Sequence, residues 1–179
     1  LYLSGKKHGV KVVFGVEAYV LNSLIEWNAL KEKLSLDKKA KDFDKSVAAT
    51  GSKELRRKGH LVLLACNRRG LSNINSLVYR AHKEGFYGKP RMDKQMLREH
   101  SEGIVASSAC MGGIISKVCW DIKEGRAAWA DAVREVKDFN SIFGQGRFYL
   151  ELQLNEHPGQ KFINECMVLS AVESTALAI

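Results

Sequence analysis

HLVLLACNRRGLSNINSLVYRAHKEG, His60 to Gly85, decides the fold class. HLVLLA (His60 to Ala65) has the length and apolar composition of a buried strand. NRRG (Asn67 to Gly70) turns the chain, and Ser72 is placed to cap a helix. That helix carries Ile74, Leu77, Val78 and Ala81 at i, i+3, i+4, i+7 spacing, and Gly85 stops it. Strand, turn and amphipathic helix form one βα unit, the repeat of an α/β barrel or a doubly wound sheet.

Outward from this unit the pattern repeats. Residues 1–8 read as a helix ended by Gly9, and VKVVFGV (Val10 to Val16) reads as a buried strand with Glu17 directly after it. Downstream, Gly103 to Ser107, Arg147 to Leu152 and a stretch beginning at Thr175 supply three more strands. Asp93 caps a short helix to about Glu99, and another helix carries Ile114, Ile115, Val118 and Cys119. A longer one from about Glu124 to Phe143 places Trp129, Ala132, Val133, Val136 and Phe143 on one face, and Gln160 to Glu173 turns Ile163, Cys166, Met167 and Ser170 inward. The alternation predicts an α/β fold with a mainly parallel sheet. GxGxxG after the first strand and GxxxxGK[ST] are both absent, so dinucleotide and P-loop phosphate binding lack their fingerprints. A barrel with its function at loops beyond the strand ends is the architecture expected. Val105, central in its strand, is expected to be core, so that Val105→Asp unfolds the domain.

The 179 residues suffice for one domain with a real core. A first residue Leu1, a helix already under way there and a strand just starting at the other end predict a piece truncated at both ends. The net charge of +8 and the pI near 9.4 favour a polyanionic partner, of which nucleic acid is the commonest. The four cysteines (Cys66, Cys110, Cys119, Cys166) show no CxxC pairing, which argues against a zinc ribbon or a secreted disulfide scaffold and for a reducing, cytoplasmic setting. No apolar run is long enough to cross a membrane. Residues 21–59 differ in texture: from Lys31 to Lys58 ten Lys/Arg face five Asp/Glu. They read as a basic insertion holding one helix (about Ser23 to Leu34), then a mobile loop with the small-residue patch Val47 to Ser52, none of it core.

Four places could carry chemistry. Cys110 follows a strand and precedes Gly112-Gly113, where a thiol is either a small buried residue beside a turn or a metal ligand or nucleophile. Glu17 abuts a core strand and is either an exposed loop residue or a carboxylate at the strand's open end. Lys89 and Arg91 flank Pro90 and could grip phosphates or simply lie exposed. Glu151 and His157, on and after the Arg147–Leu152 strand, are weaker candidates for site neighbours.

Taken in order, KVVFGVEAYV, HLVLLACNRRGLSNINSLV, EGFYGKPRMDKQMLREHSEGIVASSACMGG and FYLELQ resemble the PHP (polymerase and histidinol phosphatase) domain family, in the form found at the N-terminus of bacterial DNA polymerase III alpha subunits. The resemblance implies a distorted seven-stranded (β/α)7 PHP barrel, here partial over residues 1–179, whose complete site holds a zinc or manganese cluster through nine side chains. By position, Glu17 resembles the family's glutamate ligand, His60 its next histidine and Cys110 the cysteine of its glycine-rich loop, while the other six ligands would fall outside the stretch. Oxygen, nitrogen and sulfur donors suit borderline ions such as Zn²⁺, and a cluster of them supports phosphodiester hydrolysis. The resemblance further implies a part in DNA replication by a DNA-directed DNA polymerase, with metal-dependent 3'-5' exonuclease activity on a DNA primer end. Its implied partners are the rest of the polymerase and a proofreading exonuclease subunit. A non-catalytic scaffold and a free-standing phosphatase are the alternatives. Three departures stand out: Ala109 replaces the family's usual glycine, the 21–59 insertion is long, and His60 begins its strand instead of ending it.

Overall fold

The computed structural model describes residues 1–37, 51, 53–174 and 176–179. In chain order the described elements are α1 (Tyr2–Lys7), β1 (Gly15–Leu21), α2 (Leu24–Asp37), β2 (Gly59–Ala65), α3 (Arg68–Glu84), β3 (Met92–Asp93), α4 (Lys94–Glu99), β4 (Ile104–Ser107), α5 (Ile114–Lys123), α6 (Trp129–Phe143), β5 (Phe148–Leu150), α7 (Gln160–Ser174) and β6 (Leu177–Ala178). The strands make one six-stranded sheet in the order β3-β1-β2-β4-β5-β6. The α/β class is as expected. The pairing is parallel except at β2, which runs antiparallel to both β1 and β4.

That reversal places His60. With β2 pointing the opposite way, its first residues lie beside the last residues of β1, His60 opposite Tyr19 and Gly59 opposite Val20. A residue that begins β2 therefore shares a rim with residues that end its neighbours, and the expected difficulty with His60 disappears.

The first strand is not Val10 to Val16. Val10, Val13 and Phe14 are exposed, and pairing begins at Gly15. VEAYVL alternates as a half-covered strand should: Ala18 and Val20 are buried, whereas Glu17 points to the other face. Glu17 is thus inside the strand, not after it. The same alternation runs through the sheet, with Leu61, Leu63, Ile104, Ala106, Phe148 and Leu150 closed to solvent on the covered face. Val105 lies on the half-open face and is not core, because Ile104 and Ala106 hold the covered positions.

Helices α5, α6 and α7 pack on one another, with α5 against β2, α6 against β4 and β5, and α7 against β5. Phe139 and Phe143 stack on Phe148 at 5.2 and 6.3 Å between centroids, joining α6 to the sheet. Ile163, Cys166, Met167 and Ser170 face inward from α7 as the periodicity predicts. Each fully buried Leu- or Phe-sized side chain contributes roughly 1.5–3 kcal/mol. Two helix starts differ from expectation. α3 begins at Arg68, since Asn67 and not Ser72 is the cap, its Oδ1 accepting from Gly70 N at 2.9 Å. The stretch read as one helix from Glu124 holds a turn before α6 starts at Trp129. Asp93 caps α4 as predicted, and it does more: Oδ1 accepts from Met96 N while Oδ2 accepts from Leu24 N, both at 2.9 Å, which ties the starts of α4 and α2 together.

The 21–59 segment also contributes to the core, contrary to expectation. Leu24, Trp27, Leu34 and Leu55 are buried in the main hydrophobic cluster, and Trp27 Nε1 donates to the Leu55 carbonyl at 3.0 Å. The loop expected over residues 38–50, most of the Val47–Ser52 patch and the strand start at Thr175 lie outside the described residues.

Candidate metal centre

Three chain segments converge at the rim shared by the end of β1 and the beginning of β2. Glu17 and Tyr19 occupy the open face of β1, and His60 occupies the same face of β2. β4 delivers Cys110 from the loop that follows Ser107. This loop is fastened to β2 through backbone: His60 N donates to the Gly112 carbonyl at 3.0 Å, and His60 pairs with Gly113 as an isolated parallel bridge. Gly113 is needed for this close approach, and Gly112 lies tight against the His60 ring. A β-carbon at Gly112 would lie 3.1 Å from His60 Cε1, and one at Gly113 would lie 2.0 Å from the Ser108 carbonyl oxygen.

Side chains close the arrangement. Glu17 Oε1 is 2.9 Å from His60 Nδ1, Cys110 Sγ is 3.4 Å from the same nitrogen, and Gly112 N–H donates to Sγ at 3.4 Å. The three donor atoms lie within 4.8 Å of one another, the one group of three or more such residues found among the described residues. The donor set fits a borderline cation. Tetrahedral coordination at about 2.0–2.3 Å sets donors about 3.3–3.8 Å apart; the 3.4 Å between Cys110 Sγ and His60 Nδ1 suits this, and the 2.9 Å contact of Glu17 with the same nitrogen would open on binding.

The surroundings contain Lys89, singled out in the sequence, and two groups that the sequence pattern did not single out, Tyr19 and Lys58. Tyr19 lies 5.2 Å from the His60 ring, Lys58 Nζ stands 4.9 Å from the Tyr19 ring centre, and Lys89 Nζ stands 5.0 Å from it and donates to the tyrosine hydroxyl at 2.9 Å. The period-2 position of Tyr19, two residues beyond Glu17, was the available signal. Nearby, Glu151 is not at the three donors; it accepts from Ser107 Oγ at 2.6 Å and Gln153 Nε2 at 2.7 Å. His157 packs against Trp120, away from the site.

Arg91 departs from its expected role. It is 2% exposed, and Nη1 donates to the carbonyls of Tyr87 (2.8 Å) and Lys89 (2.7 Å) while the guanidinium lies over the Trp27 and Tyr87 rings. Burial lowers its pKa. Its charge is spent inward, shaping the loop that presents Lys89 to solvent.

The PHP domain family model matches residues 1–155. The chain is 34% identical over 178 residues to a DNA polymerase III subunit alpha of Helicobacter pylori (strain J99), covering 97% of this chain and 13% of that protein. It is 35% identical to the DNA polymerase III subunit alpha of Borreliella burgdorferi and 34% to that of Thermus aquaticus, each over 93% of this chain and 12% of the relative. The chain thus spans about an eighth of the length of the curated relatives it matches.

Proposed function

The chain belongs to the PHP domain family, and on that premise we propose that it is the PHP domain of a replicative DNA polymerase alpha subunit and holds metal ions for 3'-5' exonucleolytic hydrolysis of DNA. The observation that carries this reading is the convergence of Glu17, His60 and Cys110 from three separate segments. These residues would hold the metal, zinc or manganese, through carboxylate oxygen, Nδ1 and thiolate. An ion bound there supplies Lewis acidity toward a phosphoryl oxygen and lowers the pKa of a water.

The chain's own residues have separable tasks. The Gly112 amide, donating to Sγ at 3.4 Å, fixes the position of the Cys110 sulfur beside His60. Lys89, exposed and held on Tyr19, offers a cation to a substrate phosphate. DNA, the remainder of the polymerase and a proofreading exonuclease subunit are the partners this reading carries, in the cytoplasm. No described helix is long and apolar enough to cross a membrane.

The test is metal content and primer trimming in the intact protein. Wild type is expected to carry bound zinc or manganese and to shorten a mismatched primer; Glu17→Ala, His60→Ala and Cys110→Ala combined should lose metal and trimming together. Full metal content in the triple variant would refute the ligand assignment. Absence of metal from the folded wild type would favour the non-catalytic scaffold instead.

A further inference from the structure

A cavity of about 410 Å³ opens between the end of β1, α2, residues 54–59 and the first turns of α5. It lies within the roughly 300–1,000 Å³ range of small-molecule sites. Its lining includes the apolar side chains of Trp27, Leu30 and Val118 and the cations Arg57, Lys58 and Lys117. None of the three metal-donor residues lines it.

The cations differ in how their charge is answered. Arg57 is committed to Asp121 at 2.7 Å and approaches Glu54 at 3.7 Å. Among the described residues Lys58 and Lys117 have no carboxylate within 4.0 Å. Lys58 rests on the Tyr19 ring, whereas Lys117 is half-buried, and burial followed by the charges of Lys58 and Arg57 holds its pKa low, Asp121 acting weakly the other way. Of the carboxylates at the wall, Glu54 faces Arg57 and Glu135 is held by Lys94 at 2.8 Å, which leaves Glu26 at the exposed edge. The N-terminus of α5, a ten-residue helix beginning at Ile114 in the cavity wall, has no side-chain cap. Its first amides add positive potential in the same place. Two ammonium groups with no carboxylate partner among the described residues and an uncapped helix start, set around a space with apolar lining, form an environment completed by an anion that carries a flat apolar body.

We propose that this cavity is a mononucleotide site: the phosphate of a nucleoside monophosphate sits between Lys58 and Lys117, and its base packs on Leu30 and Val118. The site is independent of the metal donors, so it stands whether the domain hydrolyses DNA or only braces the polymerase. In a hydrolytic domain its ligand would be of the product class of 3'-5' cleavage.

The experiment titrates the intact protein by calorimetry with deoxyadenosine monophosphate and, separately, with inorganic phosphate, which tells a nucleotide site from a bare anion site. Wild type should bind the nucleotide at least tenfold more tightly than phosphate. Lys117→Gln and Lys58→Gln should each weaken nucleotide binding about tenfold, and Lys117→Arg should retain it within about threefold, with metal content unchanged in all the Lys117 variants. Lys117→Gln removes a half-buried charge with no carboxylate partner among the described residues, so its melting temperature should not fall and lost binding cannot be ascribed to unfolding. Nucleotide binding undiminished in Lys117→Gln, or no tighter than phosphate, would overturn the proposal.

Discussion

The two faces of the sheet come from the same strands and have opposite environments. On the covered face Leu61, Leu63, Ile104 and Ala106 meet helices and exclude water. One residue along, Glu17, Tyr19, His60 and Ser107 stand on the open face and have polar or charged partners. The cysteines repeat the contrast. Cys119 and Cys166 are buried between α5 and α7, where a hydrogen bond to Cys166, together with burial, pushes the Cys119 thiol up. Cys110 lies half-exposed on a loop, 3.4 Å from an imidazole nitrogen. A thiol's chemistry here depends on which side of the sheet its segment serves.

Aspartate substitutions should separate the faces most sharply. Ile104→Asp buries an unpaired charge and is expected to abolish folding, while Val105→Asp, its neighbour on the open face, should give soluble folded protein. Circular dichroism on the pair decides the matter, and an unfolded Val105→Asp would erase the distinction between faces.

A cysteine exchange comes next. Cys110→Ala should weaken zinc binding by about 100-fold or more and leave apo stability nearly unchanged, since it removes a proposed ligand from a half-exposed loop. Cys119→Ser should do the reverse, costing about 1–3 kcal/mol by placing a hydroxyl in an apolar core with metal affinity preserved. Denaturant melts and zinc titrations of both proteins supply the comparison.

The covered side has an ionic margin whose contribution is smaller and depends on pH. Lys94, largely buried, bridges Glu135 at 2.8 Å and Asp138 at 2.9 Å. Burial acts to raise the Asp138 pKa, but the Lys94 hydrogen bond and charge, with Arg98, more than offset it and the net shift is downward. A depressed carboxylate pKa stabilises the fold above the unfolded value of about 3.9, and this stabilisation is lost as pH falls through the folded value. Stability should therefore drop as pH falls below about 3.9, and Lys94→Met should flatten that part of the profile.

The smallest effect expected is a gain. Ala109 is buried with φ of +60°, a conformation in which an alanine β-carbon costs roughly 1–2 kcal/mol. Glycine removes that strain but loses more backbone freedom on folding, so Ala109→Gly should stabilise by about 0.5–1 kcal/mol, measured as a rise in melting temperature. The site loop would then prove to be held in shape against local preference.

What could be read in advance followed from period and composition. The α/β alternation, the inward face of α7, the Asp93 cap and the candidacy of Glu17, His60 and Cys110 were legible because each rests on local spacing or on a quoted family motif. The first strand was misplaced because VKVVFGV is more apolar than VEAYVL, and only pairing with β2 decides between them. Strand direction is a property of the whole sheet, which is why His60 seemed to lie at the wrong end. Arg91 shows the limit for charged residues, since a cation that packs on two rings and two carbonyls has the same letter as one that faces DNA.

The antiparallel joint between β1 and β2 has a consequence for chain length. Val20 and Gly59 are paired neighbours, so everything between them leaves the sheet and returns to the same spot. Closing such a loop costs only about 0.6 kcal/mol more for each doubling of its length. Beyond Trp27, Leu34 and Leu55, which anchor it to the core, this segment can grow or shrink with no change in strand register, and the rim that holds His60 opposite Tyr19 would not register the difference.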